Sequence, residues 1–251
     1  MVSHVVILGC GRSGTSIFGE LFETLGAHQY FFEPNLEQVR QIDFSAGPVA
    51  MKVPKAFPGT PMTPGLPFLL EEFLSLIPEP RTFFWQARNP LDAVCSLRPG
   101  IEANWSHNPK PPDWEQWLAR PLVERCARHW SYINVNGYRA VKQFAAINRY
   151  EDLVLDPINT AKKACSLTGC DVPPYQPAIE AWAATVGNRK DVSVYEAKRQ
   201  VVWSRQDHSV RVERWRENLS PEEVAAVCEI VKEAASELGY PVPQRELLAH
   251  R

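Results

Sequence analysis

A short apolar run that ends in a cluster of glycines is the feature that most constrains the fold of this chain. Residues 4–8 (HVVIL) are typical of a buried β-strand, and residues 9–16 (GCGRSGTS) follow directly. Apolar side chains then recur at helical spacing, which predicts a helix over 15–26. A glycine turn between a strand and a helix presents free N–H groups and the positive end of the helix dipole. We therefore expect this turn to bind an anion.

The loop alone leaves the identity of that anion open. Gly9, Gly11 and Gly14 fit the dinucleotide pattern G-x-G-x-x-G, and Glu33 follows about 20 residues later, where a ribose-binding carboxylate is expected. The same octet also fits a Walker A loop, except that Thr15 occupies the position of the lysine. Because that lysine neutralises the β- and γ-phosphates, its absence counts against an ATP or GTP hydrolase.

The rest of the chain alternates between strand patterns and helix patterns. Further strands are predicted over residues 28–32, 49–53, 82–87 and 144–150. Helices are predicted over residues 66–77, from residue 91, over 114–143 with a break at residue 121, from residue 157 and from residue 221. Five prolines between residues 54 and 67 predict an irregular loop. The alternation predicts one α/β domain over residues 1–251, with three layers around a parallel sheet.

The charge balance and the hydropathy argue against several kinds of partner. Lys and Arg total 27 and Asp and Glu total 29, a net charge of -2, so no nucleic-acid partner is expected. No apolar run approaches the ~20 residues of a membrane span, so we expect no membrane association and a cytoplasmic location. The six cysteines show neither a CxxC pair nor a zinc-type spacing with histidine, so no metal site is predicted.

A second polar cluster follows the strand predicted over 82–87. Residues 88–96 read RNPLDAVCS. Because the carboxyl ends of parallel strands face the ligand-binding edge of a sheet, Arg88 is predicted to lie beside the N-terminal loop. Ser96 stands two helical turns beyond Arg88, and the two residues are candidates for a second phosphate site. The alternative is a buried structural pair between Arg88 and Asp92.

Four segments carry polar motifs in a fixed order along the chain: 11–16 (GRSGTS), 88–96 (RNPLDAVCS), 150–153 (YEDL) and 214–221 (RWRENLSP). Together they resemble the phosphosulfate loop, the R-[DN]-P-x-D-x-x-x-S motif, the Y-E-D-L motif and the tryptophan segment of sulfotransferases that use 3′-phosphoadenosine 5′-phosphosulfate (PAPS). Neither a dehydrogenase nor a kinase predicts the last three motifs. The resemblance implies a P-loop-like sulfotransferase fold and PAPS as the sulfonate donor.

The resemblance also implies which residues contact the nucleotide. The N-terminal loop is expected to hold the 5′-phosphosulfate through Gly11, Arg12, Ser13, Gly14, Thr15 and Ser16. Arg88 and Ser96 are expected to hold the 3′-phosphate.

Two departures from the pattern of cytosolic eukaryotic members bear on these contacts. Arg12 stands where those members have lysine, as in Golgi and many bacterial members. The Arg-Lys-Gly sequence upstream of the tryptophan is absent, so Ser209 and Arg211 are predicted to contact the 3′-phosphate in its place. In the same segment Glu213 replaces a usual glycine.

The reaction that the resemblance implies needs no metal. Arginine and lysine neutralise the developing charge, which in kinases is the role of magnesium. Arg12 and Lys52 are predicted to face the transferred sulfonate and the leaving 5′-phosphate. The histidine base of cytosolic members has no counterpart, since Pro54 occupies its place. Tyrosylprotein-type and several other members use a glutamate after the second strand instead, so the resemblance implies Glu33 as the general base that deprotonates the acceptor, with His107 as the alternative.

The acceptor is expected to present a hydroxyl group on a small molecule, a glycan or a natural product. Loops at residues 54–67 and 99–117 are candidates for its recognition, with the aromatic residues Phe57, Phe68, Trp105, Trp114 and Trp117. The same aromatic residues also fit ordinary packing. Two further functions stay open: a P-loop-like phosphotransferase, and a nucleotide-binding protein without catalytic activity.

Overall fold

The computed structural model describes residues 1–52, 56, 59–186 and 212–241. These residues belong to two compact units. The first unit consists of Met1–Ala87 and Ile133–Gly187, and the second of Arg88–Tyr132 and Asn188–Arg251. The single domain expected over residues 1–251 stays a prediction.

The first unit is built on a parallel sheet of five strands in the order β2-β3-β1-β4-β5. The strands are β1 (His4–Gly9), β2 (Gln29–Phe32), β3 (Val49–Lys52), β4 (Arg81–Ala87) and β5 (Ala145–Arg149). Strands β1 and β3 and most of β4 are buried, which explains why the sequence shows them as continuous apolar runs. The predicted α/β class and the parallel sheet are confirmed.

The helices of the described residues alternate with these strands. In chain order they are α1 (Thr15–Leu25), α2 (Leu36–Arg40), α3 (Leu70–Leu76), α4 (Pro90–Glu102), α5 (Leu122–Tyr132), α6 (Tyr138–Val141), α7 (Tyr150–Leu155), α8 (Pro157–Thr168), α9 (Val172–Val186), α10 (Trp215–Asn218) and α11 (Pro221–Glu237). A 3₁₀ turn spans Gln116–Ala119, and a π-helical segment spans Ile133–Gly137.

Helical segments cover both faces of the sheet. Neighbouring residues of a strand point to opposite faces, and Phe84 and Trp85 of β4 show what each face meets. Phe84 lies edge-on to Phe18 of α1, with ring centroids 5.1 Å apart. On the other face, Nε1 of Trp85 donates a hydrogen bond of 3.0 Å to Oδ1 of Asn134 in the π-helical segment. The sheet is thus the middle of three layers, as predicted.

The helix predicted over residues 66–77 begins later, at Leu70. Phe68 in the preceding turn is fully buried and packs on Phe73, with ring centroids 4.2 Å apart. The Thr63 N–H donates to the Phe68 carbonyl, and Oγ1 of Thr63 accepts from the N–H of Leu70, both at 2.9 Å. Because Thr63 caps the helix at Leu70, residues 66–69 belong to the turn.

Helix α4 extends further than the sequence predicts. It continues through Pro99 to Glu102, so the polar loop expected from residue 99 begins only after the helix. A proline inside a helix lacks an N–H and crowds the preceding turn, which costs about 3 kcal/mol. Leu97 and Ile101 are fully buried on either side of Pro99, and their burial stabilises this turn.

The second unit is helical in its described part. Helix α5 packs on α4 and α11, and α11 also packs on α4. The predicted capping box opens α11: Oγ of Ser220 accepts from the Glu223 N–H at 3.2 Å, and the Glu223 carboxylate accepts from the Ser220 N–H at 2.9 Å. In neither unit does a described helix have the length and apolar character to cross a membrane.

Candidate functional site

The loop between β1 and α1 has the backbone geometry of an anion-binding turn. Arg12 and Gly14 adopt left-handed conformations, with φ of 68° and 90°, and α1 starts at Thr15. Left-handed residues in a turn are typical of nests, in which successive N–H groups point at an anion. The loop also lies at the positive end of the α1 dipole. The Arg12 side chain is exposed, so it can reach a bound ligand.

Ser13 is the polar side chain that this loop buries. It is fully buried, and within the described part of the chain its Oγ has no hydrogen-bond partner. A buried hydroxyl without a partner costs about 1–3 kcal/mol, and an anion oxygen bound in the loop would remove that cost. Thr15 is also buried, whereas Gly11 and Ser16 are partly exposed on either side.

The YEDL motif packs against this loop. Tyr150, the first residue of the YEDL sequence, is buried with 5% of its surface exposed. Its ring lies so close to Gly14 that a Cβ atom there would be 2.4 Å from Cδ2 of Tyr150. Gly9 meets a similar limit, since its Cβ would lie 2.4 Å from the backbone oxygen of Gln86. Positions 9 and 14 are therefore restricted to glycine by the residues that pack against them.

The predicted catalytic residues Glu33 and Lys52 form an ion pair. Nζ of Lys52 lies 2.5 Å from Oε1 of Glu33, and the Glu33 N–H donates to the Lys52 carbonyl at 3.1 Å. The Lys52 side chain is 8% exposed and that of Glu33 is 38% exposed. Glu33 has a φ of 46°, a conformation that costs a non-glycine residue about 1–3 kcal/mol and that clusters at functional sites.

The strand register places this ion pair and the loop at the same edge of the sheet. Lys52 is aligned with Phe32 of β2 and with Ile7 of β1, and β1 continues two residues further to Gly9, a rise of roughly 7 Å. In the dinucleotide-binding order, β2 is the neighbour of β1. Here β3 lies between them, so the topology removes the dinucleotide alternative for Glu33.

Arg88 and Ser96 of the second motif are bonded to each other in the second unit. Nη1 of Arg88 donates to Oγ of Ser96 at 3.1 Å, and both residues are buried, with 5% and 7% exposed. The alternative interpretation of this motif is a buried structural pair between Arg88 and Asp92. The carboxylate of Asp92, which is 1% exposed, accepts the backbone N–H groups of Glu213 at 2.8 Å and Trp215 at 3.0 Å.

These bonds tie the tryptophan segment to α4. Burial raises the pKa of Asp92, while Arg88, the N–H groups of Trp215 and Glu213, and Arg214 act in the opposite direction. Glu213 has a φ of 63°, a left-handed conformation that glycine adopts more readily than other residues. Sequence reasoning missed this role of Asp92, because the bonded residues lie more than a hundred positions apart.

Arg214 bonds to the same Ser96 hydroxyl as Arg88, although the sequence did not indicate that it is a ligand. It is 7% exposed, and its Nη1 donates to Oγ of Ser96 at 3.2 Å. The signal in the sequence was its place in the RWR segment. The two residues predicted from that region, Ser209 and Arg211, lie outside the described residues, as does Phe57.

The alternative base and the acceptor-loop aromatics fall in different environments. His107 is partly buried, with its ring centroid 5.7 Å from that of His129. Trp105 is fully buried, and its Nε1 donates to Nδ1 of His129 at 3.2 Å. For Trp105 and Phe68, burial favours the packing alternative over contact with an acceptor.

All six cysteines lie among the described residues, are buried and form no disulfide bond. The described segments contain no group of three or more His, Cys, Asp or Glu side chains positioned to hold a metal ion.

The chain matches no protein-family model, and a comparison with curated proteins finds no match. Its structure resembles that of a mouse sulfotransferase complexed with PAP, with a TM-score of 0.58 at 15% identity over 98% of this chain and 87% of the other. A sulfotransferase from Mycobacterium avium gives a TM-score of 0.53 at 13% identity, over 96% and 78%. Retinol dehydratase complexed with androsterone and the inactive cofactor PAP gives 0.51 at 15% identity, over 96% and 82%.

At these identities the similarity establishes the shared fold. The chain has the P-loop-like α/β fold of the sulfotransferase structures, as the sequence motifs implied.

Proposed function

We propose that this chain is a PAPS-dependent sulfotransferase, which transfers a sulfonate group to an acceptor hydroxyl and releases adenosine 3′,5′-bisphosphate (PAP). The observation that carries the proposal is the 3.1 Å hydrogen bond between Arg88 and Ser96. This pair forms the two ends of the family's second motif, and neither a dehydrogenase nor a kinase requires it. The fold shared with proteins crystallised with PAP supports the same function.

Two groups of residues, each within one unit, have the chemistry to bind a phosphate group. PAPS supplies a sulfonate that is activated by its attachment to a phosphate leaving group. In the first unit, the buried hydroxyl of Ser13 and the N-terminus of α1 suit the 5′-phosphosulfate. In the second unit, Arg88 offers a planar donor fork next to the Ser96 hydroxyl, which suits the 3′-phosphate.

Three residues of the first unit are proposed to carry the chemistry. Glu33 takes the proton of the acceptor hydroxyl while that oxygen forms its bond to sulfur and the bond from sulfur to the bridging oxygen breaks. Lys52 fixes the Glu33 carboxylate through their 2.5 Å ion pair and presents a buried ammonium group to the transferred sulfonate. Arg12 neutralises the charge that develops on the leaving 5′-phosphate.

The surroundings of Lys52 support a small-molecule acceptor. Phe32 is 60% exposed, and Nζ of Lys52 lies 4.5 Å from the centroid of its ring. An exposed aromatic ring beside the catalytic pair suits a molecule with an apolar face next to its hydroxyl. Retinol dehydratase, which has the same fold, was crystallised with retinol and with androsterone. A glycan is the alternative acceptor.

The test is transfer of radiolabelled sulfonate from PAPS to a panel of apolar alcohols, phenols and glycans, with mass identification of each product. We expect a sulfated product and one PAP released for each transfer, with activity retained in the presence of EDTA. Magnesium-dependent turnover of ATP would instead support the phosphotransferase alternative. Binding of PAP with no transfer to any acceptor, including a small-molecule extract, would support a nucleotide-binding protein without catalysis.

A further inference from the structure

Two amide side chains form a hydrogen bond at the carboxyl ends of the neighbouring strands β4 and β5. Nδ2 of Asn148 donates to Oε1 of Gln86 at 2.7 Å, and Gln86 is fully buried. Nε2 of Gln86 has a longer contact, 3.5 Å from the carbonyl oxygen of Ala87. A buried amide is costly unless it is hydrogen-bonded, so Gln86 requires Asn148 to lie opposite it.

This hydrogen bond specifies the register of β5, which is the last strand of the described sheet and pairs there with β4 alone. Gln86 is aligned with Asn148, and Phe84 is aligned with Ala146. These residues lie on the α1 face of the sheet, because Phe84 packs on α1 and alternate residues of a strand share a face. The methyl group of Ala146 discriminates poorly between registers, whereas a slip of β5 would leave the Gln86 amide without its partner. Asn148 thus determines where β5 ends.

The end of β5 positions a residue that packs on the loop between β1 and α1. Tyr150 stands two residues after Asn148, and a Cβ atom on Gly14 would lie 2.4 Å from Cδ2 of the Tyr150 ring. Gln86 is aligned with Gly9 of β1, and a Cβ atom on Gly9 would lie 3.2 Å from the Cβ atom of Gln86. Gln86 therefore lies beside the start of the loop, and Asn148 determines the position of Tyr150 against its end.

From these contacts we propose that Gln86 and Asn148 are positioning residues for the 5′-phosphate of the nucleotide. The inference rests on the proposed function, in which this loop holds the 5′ end of the donor. Gln86 is fully buried and cannot reach a ligand, so the pair acts through Tyr150 on the backbone of the loop. A shift of β5 would move the N–H groups of the loop relative to a phosphate oxygen, and hydrogen bonds weaken steeply when their geometry is lost.

The experiment measures, by calorimetry, the affinities for PAP and for adenosine 3′-monophosphate, which lacks the 5′-phosphate. The ratio of the two affinities reports the contribution of the 5′-phosphate to binding. The double variant Gln86→Met/Asn148→Leu replaces both amides with apolar groups of similar size, so neither amide is left buried without a partner. We expect it to fold and its ratio to fall roughly tenfold, the loss expected of about one charge-assisted hydrogen bond.

Two single variants complete the comparison. Asn148→Leu should lower the ratio by a similar factor and should also lower the melting temperature, because it leaves the Gln86 carbonyl unpaired. Thr82→Val is the matched control, since Thr82 lies near the other end of β4, where its Oγ1 shares a hydrogen bond of 2.7 Å with Oγ of Ser3. This control should lower the melting temperature and leave the ratio of affinities unchanged.

The possible results separate the inference from the proposed function. If the wild type binds PAP no more tightly than adenosine 5′-monophosphate, the proposed function fails, and the inference fails with it. If the wild type prefers PAP but the ratio is unchanged in the double variant and in Asn148→Leu, the pair serves stability alone, and only the inference is overturned. A fall in the ratio for Thr82→Val as large as for the double variant would overturn it as well.

Discussion

The ammonium group of Lys52 lies 2.5 Å from the carboxylate of Glu33, where the neighbouring strands β3 and β2 end. Glu33→Gln keeps the size of the side chain and removes its ability to take a proton. A positioned general base contributes about 10²- to 10⁴-fold, so we expect kcat to fall by about that factor. The affinity for PAP should stay nearly constant, because Glu33 is proposed to contact the acceptor and not the nucleotide.

Glu37→Gln is the control for this measurement. Glu37 lies on α2, is exposed, and pairs with Arg40 at 3.0 Å. It should leave kcat unchanged. A Glu33→Gln enzyme with near-normal turnover and a lowered melting temperature would identify a purely structural ion pair, and attention would then move to His107 as the base.

Gly14→Ala should disrupt the loop between β1 and α1. The new Cβ would lie 2.4 Å from the Tyr150 ring, at a φ of 90°. Gly26→Ala is the matched substitution, since Gly26 has a φ of 66° and no atom within 4 Å of the position of its Cβ. The control should lower the free energy of unfolding by about 1–2 kcal/mol, from the backbone conformation alone. Gly14→Ala should lower it further, as measured by urea denaturation, and should also weaken PAP binding. Equal losses of free energy in the two variants would contradict the role of Tyr150.

Asp92→Asn should loosen the tryptophan segment from α4. An amide nitrogen cannot accept an N–H, so one of the bonds to Glu213 and Trp215 is lost, at about 1–3 kcal/mol. Asp156→Asn provides the control, because Asp156 caps α8 and asparagine caps a helix equally well. The free energies of unfolding of both variants are measured by urea denaturation. If Asp92→Asn loses no more free energy of unfolding than the control, these bonds contribute little to stability.

His129 should make the protein less stable in mild acid. Burial, with a smaller contribution from His107, lowers its pKa to about 3 from the usual 6.5. Between these values the unfolded chain binds a proton that the folded chain does not. The free energy of unfolding therefore falls as the pH drops below 6.5, by on the order of 1 kcal/mol between pH 7.5 and 5.5.

His129→Gln removes this titration and retains an acceptor for Nε1 of Trp105. Urea denaturation at pH 7.5 and 5.5 should show a smaller loss for the variant than for the wild type. Parallel losses would mean that other groups, such as His4 and His28, whose pKa values burial also lowers, account for the acid sensitivity.

The order of the strands could not be read from the apolar pattern. The buried runs of β1, β3 and β4 are visible in the sequence because both faces of these strands are covered. The insertion of β3 between β2 and β1 is not, because it depends on which strands pair. That pairing is what separates Glu33 from the dinucleotide pattern that its spacing also fits.

Some helix starts can likewise be predicted from the local sequence, and others cannot. Ser220 and Asp156 are caps whose bonded partners lie three residues away, so the sequence places the starts of α11 and α8. The start of α3 depends on Thr63, seven residues before Leu70. The local apolar pattern predicts a start at residue 66, which is too early.

The sequence by itself determined the glycine turn after β1 and the RNPLDAVCS segment that carries Arg88 and Ser96, because each is defined by residue types at short, fixed spacings. Only the tertiary structure decided that Lys52 pairs with Glu33, that Tyr150 limits position 14 to glycine, and that Arg214 reaches Ser96 from 118 residues away. Local patterns reflect the periodicity and the steric limits of a short piece of backbone. Contacts between distant residues depend on how strands and helices pack, and no local spacing records that packing.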